Sequence, residues 1–248
     1  MQLETSKYDD TGLLFSGGLD SVIAAHLFNP DSLISIPINS VYSGAEKHCI
    51  KRLRSETFIK KFKYVGVENV LNLSAFERSD FIVPNRNAFL VLVASLYANK
   101  LIIGAMDGDR SSDKDRTFVS KIESLLNHMW QEQHWTQSRK FEVTLPLKTF
   151  TKTQAVALYL KKNGDPEALL VSYSCYRGKL QHCGECKPCF RKWVALTLNG
   201  ITFPDSYFAT NPAKNEWVLE KLPLLINEKY RGKEDSEWVN ALSMAGEI

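Results

Sequence analysis

A chain of 248 residues, 44% hydrophobic and 11% aromatic, carries enough apolar side chains to bury one full core with an appended subdomain, and lacks the bias of a disordered chain. Its formal charge of +3, from 31 basic against 28 acidic residues, neither requires nor excludes a nucleic-acid partner, and direct nucleic-acid binding is not expected. No stretch approaches the roughly 18 consecutive apolar residues of a membrane span, and Met1-Gln2-Leu3-Glu4-Thr5 lacks the regions of a secretory leader, so the sequence points to the cytoplasm.

The apolar run Gly12-Leu13-Leu14-Phe15 reads as a buried strand, and Val22-Ile23-Ala24-Ala25-His26-Leu27 as a helix. Between them lies Ser16-Gly17-Gly18-Leu19-Asp20-Ser21. Two glycines permit positive φ and close backbone approach, and the N–H groups at a helix start point at whatever lies in the turn. The stretch is therefore either an anion cradle or a plain strand-to-helix turn capped by Ser16 or Asp20. It lacks the Lys-Ser or Lys-Thr pair of a Walker loop and the third glycine of a dinucleotide-binding loop.

Leu33–Ile38 reads as a second strand, Ala45 to Phe62 as a helix and Val70–Leu73 as a third strand. Strand–helix alternation with apolar strands predicts a parallel sheet with ligands beyond the carboxyl ends of its strands. Next, Val83-Pro84-Asn85-Arg86-Asn87 forms a turn before the apolar helix Ala88–Ala98. Pro84 biases Val83 toward extended geometry, Asn85 tolerates left-handed φ, and Asn87 is positioned to cap the helix. Arg86 projects from the turn, either to clamp a carboxylate or phosphate or to lie in solvent.

Leu101–Gly104 is the fourth strand and runs into the charged loop Ala105–Arg116. Its carboxylates either face the mouth of the sheet, to hold magnesium, orient an amine or bond a purine-like ring, or belong to a solvated acidic loop. A helix over Phe118–Trp130 and a fifth strand over Phe141–Leu147 follow. Thr151–Gly164 has threonine at its start, glycine beyond its end and lysines in its last turn, a complete helix signature. Lys152 in the first turn opposes the helix dipole unless an anion lies close by, the alternative being an exposed lysine.

Cys175, Cys183, Cys186 and Cys189 form a cluster whose C-x-x-C turns and ligand count suit tetrahedral zinc in a structural site. Iron–sulfur binding and a redox dithiol are the rivals. His182 is either a substitute ligand or a surface neighbour, and Cys49 either a buried small side chain or a nucleophile. From Phe203 to Ile248, segments broken by Pro204, Pro212 and Pro223 read as short helices without recognisable site chemistry. The expected division is residues 1–165, an α/β domain carrying the glycine turn, and 166–248, a mostly helical zinc-binding subdomain.

The six-residue glycine turn resembles the SGGxDS loop of the PP-loop ATP pyrophosphatases. With the Val83–Asn87 turn, the acidic loop, the Thr151 helix and the four cysteines, the chain resembles the 7-cyano-7-deazaguanine synthase family over roughly residues 10–200. The resemblance implies a parallel five-stranded sheet flanked by helices. It also implies adenylation of 7-carboxy-7-deazaguanine by ATP with Mg2+, attack of ammonia to give the amide or nitrile, a structural zinc and a homodimer. Carried over by position, Phe15, Ser16, Gly17, Gly18, Leu19, Asp20 and Ser21 bind the nucleotide, and the four cysteines bind Zn2+. Asp20, Arg86, Asp107, Asp109, Lys152 and Arg116 serve the chemistry.

The pattern departs from the family in three places. Asn85 replaces the glycine of a V-P-G-R-N turn. The acidic loop is shortened, Asp107 and Asp109 matching an E-x-D pair while Asp115-Arg116 approximates D-C-R. Tyr42–His48 stands where the family has Q-R-H. These changes leave open a relative that passes the acyl group to a protein amine. A tRNA sulfur transferase and a nucleotide-binding module without catalysis are the readings from other classes.

Overall fold

The computed structural model describes residues 10–248; the reading of Met1–Thr5 lies outside the described residues. Five parallel strands run in the order β3-β2-β1-β4-β5: β1 (Thr11–Leu14), β2 (Ser32–Ser35), β3 (Lys63–Gly66), β4 (Lys100–Ile102) and β5 (Glu142–Thr144). Leu13 of β1 lies opposite Leu33 and Ile102, all buried, as expected of central strands covered on both faces. The chain leaves β1 toward β2 on one side and returns through α3 (Arg86–Ala94) to β4 on the other. That reversal opens a crevice at the carboxyl ends of β1 and β4.

The strand readings hold for four of the five. The third is displaced: Lys63–Gly66, not Val70–Leu73, pairs with β2, through Lys63 opposite Ser32 and Gly66 opposite Ser35. An edge strand is paired on one side only, and β3 accordingly carries half-exposed and exposed residues instead of an apolar run. Of the rejected segment, Val70 is exposed, while Leu73 is buried and its N–H donates to the Ile38 carbonyl at 2.9 Å. The helix expected over Ala45–Phe62 is α2 (Ser43–Glu56), stopped at Thr57, with a 3-10 turn at Phe58–Lys61.

Helix α1 (Leu19–Phe28) begins directly behind the glycine turn. Gly17 sits at φ 71°, and a Cβ there would lie 2.8 Å from Ile50 Cγ1 of α2. Both the sign of φ and the close packing demand glycine. Gly17→Ala is therefore expected to lower unfolding free energy by about 1–3 kcal/mol, read as a reduced urea midpoint at constant slope.

Helix α4 (Arg116–Met129) and α5 (Lys152–Lys161) complete the layers, α5 starting in a capping box in which Thr151 and Gln154 satisfy each other's backbone N–H groups. Then come α6 (Pro166–Val171) and α7 (Lys187–Thr197). One buried cluster joins Leu13, Ile23 and Leu53 to Tyr159, Cys189 and Leu196. A separate cluster joins Phe190, Trp193 and Val194 of α7 to Val218, Leu225 and Trp238 of the short helices α8 (Glu216–Leu219), α9 (Leu222–Ile226) and α10 (Lys233–Met244). No helix among the described residues is long and apolar enough to cross a membrane.

Candidate active site and metal centre

The glycine turn opens on a cleft of about 290 Å³ at the carboxyl edge of the sheet, bordered by Gly18, Asp20, Arg86, Gly104 and Lys152. Gly18 occupies the cap position of α1 without any side-chain cap, which removes the reading of Ser16 or Asp20 as a plain cap. Ser16 Oγ accepts instead from Gly18 N at 3.3 Å, and Ser21 Oγ donates to the Gly18 carbonyl at 2.9 Å. The amides of the first turn and the positive end of α1 remain directed at the cleft. Gly104, past β4, brings its backbone against that turn: a Cβ there would lie 3.3 Å from the Asp20 carbonyl carbon.

Lys152 is buried and its Nζ donates to Asp20 Oδ1. The lysine that opposes its own helix dipole thus has its anion, and the exposed alternative is excluded. Phe15 and Leu19 are buried beside the turn. Arg86 is half-buried in the cleft wall and donates from Nη1 to the Tyr42 hydroxyl at 3.0 Å. Asn85 takes φ 57° as expected and occupies the cap position of α3. Asn87 does not cap; it lies buried inside the first turn, and its N–H donates to Asp113 Oδ2 at 3.2 Å.

The acidic loop is divided. Asp109 borders the cleft, whereas Asp107 and the exposed Arg116 do not. Asp109 accepts from Arg191 Nη1 at 3.0 Å and pairs with Lys114 at 3.4 Å. Arg191 also donates to Glu234 Oε1 at 2.7 Å, and Glu234 Oε2 receives Arg231 Nε at 2.6 Å. Burial pushes the Asp109 carboxyl up, but the charges of Lys114, Arg191 and Lys152 outweigh it and hold the group well below the usual carboxylate range. The stretch after Phe203, read as empty of site chemistry, supplies Arg231 and Glu234 to this network.

Because the folded Asp109 is held below its unfolded value, its contribution to stability is complete above about pH 4 and is lost as the pH falls below it. Wild type is expected to lose stability relative to Asp109→Asn across that window in urea titrations. Arg191→Met leaves two carboxylates, 10% and 3% exposed, without their shared cation. The expected loss at pH 7 is about 3–5 kcal/mol.

The four cysteine sulfurs lie within 4.8 Å of one another, with Cys183 and Cys189 at 3.9 Å. Backbone amides of Cys183 and Arg177 point at Cys175 Sγ, at 3.5 and 3.4 Å, and the amide of Cys186 at Cys183 Sγ at 3.3 Å. Such N–H donors stabilise thiolates around a metal. The tight turn depends on Gly184, at φ 81°, where a Cβ would strike the Thr210 carbonyl. The set can bind a metal.

His182 is not a surface neighbour: it is buried, stacked on Tyr207 at 4.8 Å, and burial lowers its pKa to about 3, leaving it neutral. Cys49 is also buried, its thiol pushed up to about 12 by burial although Lys192 draws it down, which suits a packed side chain and not a nucleophile.

Helix α7 ties the metal centre to the glycine turn. Its fully buried Lys192 donates to Ser172 O at 2.5 Å and Ser172 Oγ at 2.9 Å. The next residue, Tyr173, donates its N–H to the Gly17 carbonyl at 2.9 Å.

A family model described as Queuosine biosynthesis protein QueC matches residues 45–200, well over half of the sequence. The chain belongs to the QueC family. Several proteins named 7-cyano-7-deazaguanine synthase resemble it along most of their length. That of Campylobacter jejuni strain RM1221 is 25% identical over 207 residues, covering 71% of this chain and 88% of the relative. That of Methanococcus vannielii is 24% identical over 226 residues, covering 78% and 97%. That of Chelativorans sp. strain BNC1 is 25% identical over 224 residues, covering 79% and 93%. Among solved structures, the U34-tRNA thiolase NcsA from Methanococcus maripaludis with its [4Fe-4S] cluster aligns at TM-score 0.44 and 14% identity, covering 98% of this chain and 74% of that one.

Sequence reasoning missed several residues that this QueC-family chain brings to the cleft: Tyr42, Glu46, Tyr176 and Arg191. Two of them carried a usable signal. Tyr42 and Glu46 lie four positions apart, one helical turn, at the start of the helix that follows the second strand.

Proposed function

We propose that the chain adenylates a 7-carboxy-7-deazaguanine-like acid with ATP and passes the acyl group to ammonia, as an ATP-dependent carbon–nitrogen ligase. The observation that carries the reading is the shared cleft: the uncapped glycine turn, the Asp20–Lys152 pair and Arg86 all border it. The triphosphate lies over Gly17–Ser21, where backbone donors offset charge on the departing pyrophosphate. The acid's oxygen bonds to the α-phosphorus as the bond to the bridging oxygen breaks. Ammonia then forms the C–N bond, AMP leaves with the carbonyl–oxygen bond electrons, and nitrogen sheds a proton.

Asp20 is the carboxylate at the cleft suited to holding a magnesium ion, a hard cation that takes oxygen ligands. For the cysteines, zinc fits best. A tetrahedral ion with bonds of about 2.3 Å puts thiolates ~3.8 Å apart, close to the spacing here, whereas an iron–sulfur cluster needs its own atoms between them. We assign residues up to 165 to nucleotide binding and 166–248 to the metal-bearing part.

The test is mass spectrometry of products after incubation with ATP, magnesium, ammonia and 7-carboxy-7-deazaguanine. AMP together with the amide or nitrile supports the reading. ATP binding without AMP for any candidate acid would leave a non-catalytic nucleotide-binding module.

A further inference from the structure

The wall of the cleft formed by α2 and α3 carries a carboxyl that the fold itself does not satisfy. Glu46, in the first turn of α2, borders the cleft half-buried, and its carboxyl makes no hydrogen bond or close ion pair among the described residues. Burial pushes its pKa up to about 7, with Arg86 pulling in the opposite direction, so the guanidinium is near enough to be felt without being bonded. Arg86 spends one N–H on the Tyr42 hydroxyl and keeps the rest of its fork. Tyr42 and Tyr176, with ring centres 5.9 Å apart and planes 31° from parallel, give this end of the cleft an aromatic lining.

A two-acceptor carboxyl beside a cationic donor fork, against aromatic rings, complements a flat heterocycle of one kind. Such a ring presents two N–H donors next to a carbonyl oxygen, the edge of a 2-aminopyrimidin-4-one. An adenine-like edge, with an amino donor beside a bare ring nitrogen, would leave the carboxyl facing an acceptor. Resting on the adenylation reading, we propose that Glu46 selects the acid by accepting from the ring N–H and the 2-amino group of its 2-aminopyrimidin-4-one edge, while Arg86 donates to the neighbouring carbonyl oxygen. Glu46 is in this account a specificity residue that touches the substrate.

Binding measured by calorimetry without ATP tests this, using 7-carboxy-7-deazaguanine and the analogue that lacks only its 2-amino group. Wild type is expected to favour the parent acid by about 10-fold or more, the worth of a hydrogen bond to a charged group. Glu46→Gln, of the same size, should bind the parent more weakly and lose most of that preference, with ATP binding and metal content unchanged. Full preference retained in Glu46→Gln overturns the inference and leaves the adenylation reading standing. Wild type that neither binds the parent acid nor forms AMP with it overturns the adenylation reading and this inference together.

Discussion

Asp20→Asn is expected to lower acid-dependent AMP release about 100-fold or more while leaving metal content and circular dichroism as in wild type. Asp20 stands in the first turn of α1, directly behind the glycine turn, and its carboxylate holds the Lys152 ammonium across the cleft. An amide of the same shape keeps the fold but removes the negative charge that fixes the lysine. It also removes the oxygen charge a hard cation would need beside the phosphates. The measurement is AMP formed per chain with and without the acid. A variant turning over near the wild-type rate would remove Asp20 from the chemistry.

Cys186→Ser carries the second large effect. Cys186 is the cap residue of α7 and one of four sulfurs within 4.8 Å, so losing it opens the ligand set at the point where the helix starts. Metal per chain should fall from about one ion to none, with a loss of several kcal/mol in stability. The damage should spread beyond the centre. Arg191 in the second turn of α7 anchors Asp109, and Lys192 beside it fixes Ser172 next to the strand-like contact of Tyr173 with Gly17. Elemental analysis and urea unfolding read both effects, and weakened ATP binding in the same variant would show that the metal centre supports the glycine turn.

The parts of the fold visible in the sequence are those in which one local pattern determines the outcome. Gly17 needs positive φ, Thr151 and Gln154 form a box four residues wide, and the apolar strands β1, β2 and β4 are buried at the centre of the sheet. Strand β3 was displaced because an edge strand reading Lys-Tyr-Val-Gly is less apolar than the irregular segment Val70–Leu73 that follows it. Asn87 fits a cap by type, yet Asn85 already bends the backbone there and makes the cap position.

At the candidate site, the glycine turn and the cysteines are contiguous motifs and could be read directly. The network around Asp109 could not: its partners Arg191 and Glu234 come from the far end of the chain, and only tertiary packing brings their charges together. Lys152 shows the intermediate case. Its unfavourable place in a helix first turn signalled a nearby anion, but only the fold identifies that anion as Asp20, 132 positions earlier.

The central claim is that the glycine turn holds the leaving pyrophosphate while AMP is joined to an acid. Exchange of labelled pyrophosphate into ATP measures that step without the amine. The account predicts exchange that requires magnesium and 7-carboxy-7-deazaguanine together and disappears in Asp20→Asn. ATP bound at the cleft with no acid-dependent exchange under those conditions would contradict it.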